Sequence, residues 1–548
     1  MRKIITLIKL LITLRIFHFF KLKIDEYNYN KIKEKKIPFI LDFIKKHKFK
    51  GTDQKLLKKK QGQILIECMW DNPVHWLRMA MIKPAIEKKY GSKTCLLRFS
   101  KIQISTKAIL KSLGYTDEVI LPDKIPTKYQ FKAEKILSRR EIMTDDFLYN
   151  LKLPSGFPAF YFYDEILKKN AIGKVEGSKV DYKFFLAKTL FYIDFYKSLL
   201  TKKSISTAIL SHQITIRYSV LIWMMLKKNI PVYFTNYYNG HIIIKKIDEF
   251  KKMLKPFDDT LNSADIKKLN LNKKNILAKQ SRHYLRKLKS GHDGELTVFG
   301  IHKKNKHKVK SKNFFLNYFG IKNKNPIAII FANCWTDYPS GYGKNPFSNY
   351  VDWIKFTLRK VDKINNINWI LKPHPGEKFY GEKTTCEKIF YSLNLKNIRL
   401  WPNDMTNIEL EKYSDYLISA RSSSTLEYGT NGKKVICCFP SPFSSFPFVK
   451  FAKDRKQLLK VLENLNKVKQ PNKKDIIDAQ IFSLSFLGDY KLNRFPKYPY
   501  GAENRNIYNY INKFLSQNEK KLDNEVKLIR KWVFSNHDRY NTYKIINE

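Results

Sequence analysis

The sequence predicts an α/β protein with two doubly wound domains, an apolar and basic N-terminal helix, and C-terminal helices. Short apolar runs typical of buried strands alternate with longer amphipathic segments, and this alternation occurs twice along the 548 residues. A chain of this length exceeds what one hydrophobic core usually serves. Hydrophobic residues make up 43% of the sequence and aromatic residues 14%, enough to fill two cores.

Residues 1–61 are predicted to form an N-terminal arm that is both basic and apolar. Residues 1–20 are apolar but are interrupted by Lys9 and Arg15, so the uninterrupted stretches are too short to span a bilayer. A helix lying in the membrane interface and a helix packed on the protein body both fit this pattern. Residues 21–61 are rich in lysine and weakly patterned.

The first alternating series predicts an N-terminal, Rossmann-like domain over residues 62–302, which we expect to bind the acceptor of any transfer reaction. Helical patterns separate the strands of this series. Its predicted strands are Gln63–Cys68, Thr94–Phe99, Glu118–Leu121, Thr207–Leu210 and Pro231–Thr235. Strands and helices that alternate at this spacing favour a parallel sheet with helices on both faces.

The second series begins after a charged segment at residues 303–325, which predicts an interdomain linker. A C-terminal, Rossmann-like domain is predicted at residues 326–503 and helices at residues 504–548. The strands predicted in this domain are Ile327–Ala332, Asn368–Lys372, Asp415–Ala420 and Lys433–Phe439. Since ligands of doubly wound sheets bind at the carboxyl ends of strands, the loops after these strands are the candidate sites.

The charge balance is strongly basic, with 104 Lys and Arg against 49 Asp and Glu and a net charge of +55. A nucleic-acid binder, a protein docked on anionic lipid and plain compositional drift would each give such an excess. The excess is nearly all lysine and is spread along the chain, whereas arginine is favoured where a phosphate is bound by two hydrogen bonds from one side chain. We therefore rank drift first, membrane attraction second and nucleic-acid binding third.

The cysteines and acidic motifs predict no metal site. Six cysteines occur without a CxxC pair or a histidine at zinc-binding spacing, and several lie in apolar runs, which fits a reducing cytoplasm. No DxD-like pair ends a strand, and P-loop, GxGxxG, HExxH and GxSxG motifs are absent from the sequence. We expect neither a metal nor a cofactor.

The strongest local signal is the segment from Trp369 to Glu377, WILKPHPGE. A predicted strand runs into Lys372, and the prolines on either side of His374 hold the backbone extended. The imidazole of His374 can then donate to a phosphate oxygen or stabilise charge that develops on a leaving phosphate. The alternative is a turn histidine satisfied by backbone carbonyls.

A second signal follows the strand that ends at Ala420, where an arginine and a run of hydroxyl residues precede a predicted helix. Free N–H groups at a helix start attract anions, and the hydroxyls add donors. Arg421 can neutralise a phosphate or pair with a surface acid. Glu427 can accept from ribose hydroxyls or can close an S-x-x-E capping box with Ser424. The predicted donor-binding residues are Lys372, His374, Arg421, Ser422, Ser423, Ser424, Thr425 and Glu427.

These two segments together resemble the HP-motif glycosyltransferases of bacterial capsule and lipopolysaccharide synthesis. That group includes the Kdo-transferase-like and sialyltransferase-like enzymes of GT-B architecture. The segments Phe331–Pro339 and Leu210–Tyr218 add to the resemblance. It implies donor-phosphate binding by the histidine and the hydroxyls, and nucleotide binding by the glutamate. Relatives often carry Gly-Thr after the arginine, where this chain has Ser422 and Ser423, and serine narrows the approach of a phosphate to the backbone.

The acceptor side offers several candidates for a general base. Catalytic candidates besides His374 are Asp71, after the first strand of the first domain, and Asp337, after the first strand of the second. Further acceptor-side candidates at strand exits, turns or helix starts are His75, Asp164, Glu165 and His212. Aspartate at such positions also commonly caps the next helix, so each has a structural alternative. A retaining enzyme needs no separate base.

The expected activity is transfer of a sugar from a CMP- or UDP-activated donor to a growing surface polysaccharide or lipid-linked glycan. The expected location is the cytoplasm, peripheral at the inner face of the cytoplasmic membrane. A CDP-polyol phosphotransferase of cell-envelope polymer synthesis is the first alternative. A basic nucleic-acid-binding protein and a catalytically silent scaffold are alternatives of other classes.

Overall fold

The computed structural model describes most of the two predicted domains and the C-terminal helices. The described residues are 38–47, 62–69, 73–99, 110–138, 143–236, 242–255, 261–289, 311–377, 381–402, 410–487 and 507–547. The predicted apolar helix at residues 1–20 and the candidate base Asp71 lie outside these ranges. Among the residues they include, no helix has the length and apolar character needed to cross a membrane.

Two six-stranded sheets form the framework of the described chain. The first contains β1 (Gln63–Cys68), β2 (Lys93–Phe99), β3 (Asp117–Leu121), β4 (Ile205–Leu210), β5 (Val232–Asn236) and β6 (Ile243–Ile247). The second contains β7 (Ile327–Phe331), β8 (Asn368–Lys372), β9 (Ile398–Leu400), β10 (Tyr416–Ser419), β11 (Lys434–Cys437) and β12 (Val449–Phe451).

Helices cover both faces of these sheets. Those before β7 are α1 (Pro38–His47), α2 (Pro73–Tyr90), α3 (Lys128–Leu137), α4 (Asp145–Tyr149), α5 (Ala159–Asn170), α6 (Tyr182–Lys202), α7 (Ile216–Leu226), α8 (Phe250–Met253), α9 (Ser263–Lys268), α10 (Leu271–Lys289) and α11 (Lys312–Tyr318). Those after β7 are α12 (Tyr350–Val361), α13 (Cys386–Ser392), α14 (Leu410–Tyr413), α15 (Ser424–Thr430), α16 (Arg455–Glu463), α17 (Lys473–Leu487), α18 (Ile507–Val533) and α19 (Tyr540–Asn547).

The strand order confirms the predicted fold class. It is β3-β2-β1-β4-β5-β6 in the first sheet and β12-β11-β10-β7-β8-β9 in the second. Neighbouring strands are parallel, except that β6 runs antiparallel to β5. In each sheet the winding reverses beside the first strand, between β1 and β4 and between β7 and β10. This doubly wound order creates a crevice for ligands at each reversal.

The central strands match their predicted positions closely because they are apolar on both faces. Successive residues of β7 alternate between two cores, with Ile327 and Ile329 on one side and Ala328 and Ile330 on the other. Three edge strands were not predicted, namely β6, β9 and β12. Strands β9 and β12 are only three residues long, and β6 contains two lysines. None of these three strands therefore shows the sequence pattern of a buried strand.

Three helices that precede β7 pack against the second sheet. Apolar residues of α9, α10 and α11 pack into the same core as β7 and β8, for example Leu277 and Phe315. These helices lie in the ranges predicted as first domain and linker. The amphipathic pattern of α10 is satisfied by either domain, because period alone does not say which core a helix covers.

The C-terminal helices return to the first domain. Helix α18 packs on α1 and α2, and its residues Leu522, Ile529 and Trp532 belong to the core on that face of the first sheet. Helix α19 continues beside β6, and its residue Ile545 reaches the core under the second sheet. The end of the chain therefore contacts both domains.

Candidate functional site

The carboxyl edge of the second sheet places three loops side by side. Strand β7 lies between β8 and β10, and Phe331 is level with Lys372 on one side and with Ser419 on the other. Neighbouring strands are about 4.8 Å apart, so the ends of β8 and β10 are separated by about 10 Å. The loops predicted to bind the donor thus leave the sheet from either side of the winding reversal.

Three polar residues follow these strand ends at the same distance along the chain. Phe331, Lys372 and Ser419 are paired across β7, β8 and β10. Two residues after each of them along the chain come Asn333, His374 and Arg421. We call this set the edge row. Its members carry an amide, an imidazole and a guanidinium group, which together supply donors for an anion and an acceptor for a hydroxyl or amino group.

His374 is held as a neutral hydrogen-bond donor. Its Nδ1 accepts from the backbone N–H of Gly376 at 3.0 Å, so the ring proton is on Nε2. Burial, helped by the charge of Lys372, lowers the pKa of His374 to about 4, while Asp337 acts in the opposite direction. The ring therefore carries no charge at neutral pH and offers Nε2–H.

Arg421 is fixed by aromatic rings and a backbone carbonyl. Its Nη2 donates to the carbonyl oxygen of Tyr338 at 2.7 Å, and its guanidinium lies 4.4 Å from the ring centre of Tyr342 and 5.7 Å from that of Tyr350. Nη1 is buried and has no hydrogen-bond partner among the described residues. One face of this cation is thus held by the protein, and one nitrogen is left to meet a ligand.

Asn333 was not predicted from the sequence. Its Nδ2 donates to the carbonyl oxygen of Arg421, and its Oδ1 is buried without a hydrogen-bond partner among the described residues. Buried amide oxygens are normally paired, so a ligand group is a natural partner for this one. The sequence signals that point to Asn333 are its position beyond the first strand of a doubly wound domain and its place in the segment Phe331–Pro339.

The hydroxyl turn after β10 differs from its predicted capping pattern. Ser423 is the N-cap of α15 and makes no side-chain cap bond, while Ser422 Oγ accepts from the N–H of Ser424 at 3.2 Å. The structural alternative for Glu427, a capping box with Ser424, is not formed, because Ser424 is already inside the helix. Glu427 lies in the first turn and is partly buried.

Two predicted donor-binding residues are buried. Thr425 is fully buried, and its Oγ1 contacts the Cys437 sulfur at 3.4 Å, inside the core under the sheet. Lys372 is 3% exposed, and its ammonium donates to the Pro373 carbonyl at 3.2 Å and lies 5.3 Å from the Phe331 ring centre. Both side chains are thus buried in this structure, donor contact by them stays a prediction, and the charge of Lys372 acts on His374.

The loop that carries His374 is anchored by two buried glutamates that the sequence did not single out. Glu377 accepts from the N–H of Cys386 at 3.1 Å, and burial raises its pKa to about 8. Glu382 accepts from the N–H of Thr336 at 2.9 Å and from the Cys334 thiol at 2.9 Å. The bonds of Glu382 join the loop after β8 to the loop after β7, whereas the bond of Glu377 ties that loop to the start of α13.

The candidate carboxylate Asp337 acts electrostatically on the edge row. It is exposed although its neighbours from Phe331 to Ser340 are buried, and its charge raises the pKa of His374 against the larger effect of burial. The structure thus brings Asp337 within electrostatic range of the imidazole while leaving its carboxylate open to solvent.

Asp164 and Glu165 lie in a buried junction between α5 and the loop after β7. Asp164 accepts from the N–H of Ser340 at 2.8 Å, and Glu165 accepts from the hydroxyl of Tyr338 at 3.4 Å. Their exposed fractions are 1% and 4%. Burial, opposed by Ser340 and Arg421, raises the pKa of Asp164 to about 8. Both carboxyls therefore join the two domains rather than facing an open acceptor site.

The winding reversal of the first sheet holds a second polar cluster. Glu67 on β1 is fully buried and lies 3.2 Å from His75 Nε2. Burial alone would raise the pKa of Glu67, but hydrogen bonds from His75, Ser211 and Met69 outweigh it and lower the pKa to about 2. His75 is also fully buried, so this acceptor-side candidate contacts Glu67 and not solvent.

His212 is the more accessible histidine of this cluster. It is partly buried, its Nδ1 lies 2.9 Å from Ser211 Oγ, and its ring stacks on Tyr218 with centres 5.0 Å apart. Burial lowers its pKa to about 3, so the ring is neutral. Of the acceptor-side candidates that the structure describes, His212 is the one at a strand exit with part of its surface open.

The two winding reversals are connected through α5. Burial opposes the charge of Arg217, but Tyr218 and Glu67, followed by Tyr192 and Glu165, raise the pKa of its guanidinium. Glu165 in turn accepts from the Tyr338 hydroxyl, and the Tyr338 carbonyl accepts from Arg421. The Arg217 guanidinium thus lies within electrostatic range of both the Glu67 cluster and the Glu165 junction.

In the described ranges, no group of three or more His, Cys, Asp or Glu side chains is placed to hold a metal ion.

Comparison with known proteins gives no family. No family model matches the sequence, and no curated protein matches it. Among solved structures, KpsC, a β-Kdo 2,4-transferase of Thermosulfurimonas dismutans, is similar over 50% of this chain and 87% of its own, with 12% identity and a TM-score of 0.29. A glycosyltransferase of Rickettsia africae is similar over 87% of this chain and 100% of its own, with 10% identity and a TM-score of 0.26.

A third similar structure is the UDP-GlcNAc 2-epimerase of Neisseria meningitidis bound to UDP-GlcNAc. The similarity covers 83% of this chain and 100% of that one, with 10% identity and a TM-score of 0.22.

Proposed function

We propose that this chain is a glycosyltransferase of GT-B architecture that moves a sugar from a CMP- or UDP-activated donor to a growing surface polysaccharide or a lipid-linked glycan. The observation that carries the proposal is the edge row, in which His374 and Arg421 flank Asn333 at the winding reversal of the second sheet. An anion-binding row at the carboxyl edge of a doubly wound sheet is suited to a nucleotide phosphate.

The chemistry proposed for this row is stabilisation of the departing phosphate. His374 donates Nε2–H to a phosphate oxygen and gains strength as negative charge develops there. Arg421 supplies a fixed positive charge, with Nη1 available to the same group. Donors that are already oriented need no rearrangement during the reaction, so they favour the charged transition state without a metal ion.

The hydroxyl turn and Glu427 complete the proposed donor site. Ser422, Ser423 and Ser424 are partly or fully exposed at the start of α15 and add donors beside Arg421. Glu427 in the first turn of that helix is proposed to accept from the ribose hydroxyls. Asp337, His212 and Asp71 remain the proposed residues for activating the acceptor.

The proposed location is the inner face of the cytoplasmic membrane, where the enzyme would be peripheral. The net charge of +55 supports attraction to anionic lipid headgroups. The same positive charge would also attract the phosphates of nucleic acid without regard to sequence. Steeply salt-dependent binding to nucleic acid that persists in His374→Ala would favour the nucleic-acid alternative over the proposed transferase.

A calorimetric screen of nucleotides and nucleotide sugars tests the donor site. We expect a cytidine or uridine nucleotide to bind, and His374→Ala and Glu427→Ala each to weaken it by about 10-fold to 100-fold, the effect of losing one or two polar contacts to a charged ligand. His283→Ala on α10 and Glu463→Ala on α16 are exposed controls and leave the affinity unchanged. Equal binding by wild type and both site variants would contradict the proposal.

The products of turnover separate the two envelope-polymer activities. A glycosyltransferase transfers sugar and releases the nucleotide, whereas a CDP-polyol phosphotransferase transfers a phospho-polyol and releases CMP. Mass analysis of the acceptor after incubation with each donor class therefore decides between them.

A further inference from the structure

The winding reversal of the first sheet contains a chain of hydrogen bonds that the proposed donor site does not use. We propose that Glu67 and Ser211 fix the tautomer of His212, and that His212 is the base that takes the proton from the acceptor hydroxyl. The tautomer follows from the geometry of the first domain. The role as base rests in addition on the proposed transferase function.

Glu67 is the fixed end of this chain. Its Oε1 accepts from the N–H of Ser211 at 3.1 Å and from the Ser211 hydroxyl, and it lies 3.2 Å from His75 Nε2. Its Oε2 accepts from the N–H of Met69 at 2.9 Å and from the hydroxyl of Tyr218 at 3.3 Å. A fully buried carboxylate with this many donors is held ionised and immobile.

The direction of the bonds determines which nitrogen of His212 carries the proton. An ionised carboxylate only accepts, so the single hydroxyl proton of Ser211 points to Glu67. The Ser211 oxygen then presents a lone pair to His212 Nδ1, 2.9 Å away, and Nδ1 must be the protonated nitrogen. In this tautomer Nε2 is the acceptor nitrogen, which is the form a base requires.

The position of His212 suits contact with a ligand. It follows β4 directly, beside the crevice between β1 and β4, and it is partly exposed. His75 shares the same carboxylate but is fully buried. Stacking on Tyr218, with ring planes inclined at 25°, fixes the orientation of the His212 ring. Only His212 of these two histidines can therefore meet an acceptor.

The charges around His212 set the balance of the proton transfer. Burial is the main reason that its pKa is lowered to about 3; Glu67 favours the charged ring, whereas Arg217, His75 and Arg78 oppose it. The ring is therefore unprotonated before the reaction. A sugar or lipid acceptor that brings its own anionic group would offset the arginines and strengthen the base.

The proposed step balances as follows. The acceptor hydroxyl gives its proton to His212 Nε2, and the acceptor oxygen forms a bond to the anomeric carbon of the donor sugar. The bond from that carbon to the phosphate oxygen breaks, and its electron pair leaves with the nucleotide. Glu67, acting through Ser211, is a positioning residue and does not touch the substrate.

Nitrogen NMR of protein labelled with ¹⁵N-histidine tests the tautomer without any substrate. We expect wild-type His212, assigned by comparison with His212→Gln, to be protonated on Nδ1 at neutral pH. Ser211→Ala should release this constraint and shift the population toward the Nε2–H form. Ser219→Ala is the control: it removes a buried hydroxyl of α7 that donates to the Thr215 carbonyl at 3.1 Å, and it should leave the tautomer of His212 unchanged.

Turnover measurements test the base. We expect Ser211→Ala, Glu67→Gln and His212→Gln to lower kcat by about 10²-fold to 10⁴-fold, the usual contribution of a positioned base, with donor affinity within about twofold of wild type. Ser211→Ala serves where loss of the Glu67 charge prevents folding. Wild-type His212 protonated on Nε2, or full activity in His212→Gln, would overturn the proposal. Wild-type protein that transfers no sugar would instead overturn the proposed function and the base, while the tautomer of His212 would still decide the positioning role.

Discussion

At the scale of single residues, the local backbone decides what His374 can do. Pro373 and Pro375 extend the chain on either side of it, and the Gly376 N–H occupies Nδ1. The remaining ring nitrogen is then a donor, and the lowered pKa keeps the ring neutral. A neutral donor binds the phosphate of the bound substrate less tightly than an imidazolium would. A larger part of its stabilisation is therefore gained in the transition state, where negative charge develops on the leaving phosphate.

This residue-scale picture predicts how donor binding depends on pH. Since the pKa of His374 is about 4, affinity for a CMP- or UDP-sugar, whose phosphates do not titrate in this range, should change by less than about twofold between pH 8 and pH 5.5. Below that range the ring gains charge and binding should tighten in wild type but not in His374→Gln. Calorimetric titrations at several pH values measure this. A step in affinity between pH 6 and pH 7 that disappears in His374→Gln would contradict the neutral-donor assignment.

At the scale of elements, α5 and the loop after β7 form a junction of buried polar groups. Asp164 accepts from both the N–H and the hydroxyl of Ser340, and the Tyr149 hydroxyl oxygen extends the contact by accepting from the N–H of Asn345. Gly173 lies so close to this region that an added Cβ would meet Val351 at 2.3 Å. The geometry of the junction is therefore tightly specified, and it sets the relative placement of the two sheet edges.

Asp164 makes this junction sensitive to pH. Its carboxyl has a pKa of about 8 in the folded protein against about 4 when unfolded, so the folded state holds the proton more tightly and loses stability as pH rises from about 4 to about 8. The loss has an upper bound of about 5 kcal/mol. Asp164→Asn should remove this dependence, because the amide cannot ionise.

Urea unfolding at pH 5 and pH 8, with hydrogen exchange of the Ser340 segment, measures the effect. We expect wild type to lose protection of this segment at pH 8 and Asp164→Asn to keep it. Asp194→Asn, at a carboxylate that is 46% exposed, is the control and should behave as wild type. Identical pH dependence in wild type and Asp164→Asn would show that another group titrates.

At the scale of the whole molecule, the chain returns on itself. Helix α18 covers α1 and α2 on the first sheet, and α19 adds Ile545 to the core beneath the second. The buried pair of Lys544 and Glu525, 2.8 Å apart, ties the two helices together. The C-terminal segment therefore contributes to the stability of the domain that is farthest from it in sequence.

Trp532 offers a test of this long-range contribution. It is 1% exposed and packs at right angles to Tyr233, with ring centres 6.0 Å apart. Trp532→Ala should lower the free energy of unfolding of the first domain by about 3–5 kcal/mol, through lost burial and the cavity left behind. Chemical denaturation followed by circular dichroism measures the change. Phe534→Ala, two positions along and 50% exposed, should cost less than about 0.5 kcal/mol; comparable losses in both variants would contradict the contribution proposed for α18.

The sequence by itself determined the fold class and the central strands. The run of β7 is apolar on both faces, and that pattern is typical of a sheet covered on both sides. It also singled out His374 and Arg421, because chemistry and proline or strand context coincide there. These features are local in the chain, so the chain alone reveals them.

Tertiary structure decided which polar residues share a site and which core each helix covers. Glu67 contacts the adjacent pair Ser211 and His212 only because β1 and β4 are neighbours in the sheet. In sequence, Glu67 and Ser211 are 144 positions apart. Asn333 joins the candidate site because it lies between His374 and Arg421, and the Thr425 side chain, which the sequence placed in a surface turn, is buried in the core. Burial and orientation depend on packing between distant segments, and neither is encoded in the spacing of residues along one strand or turn.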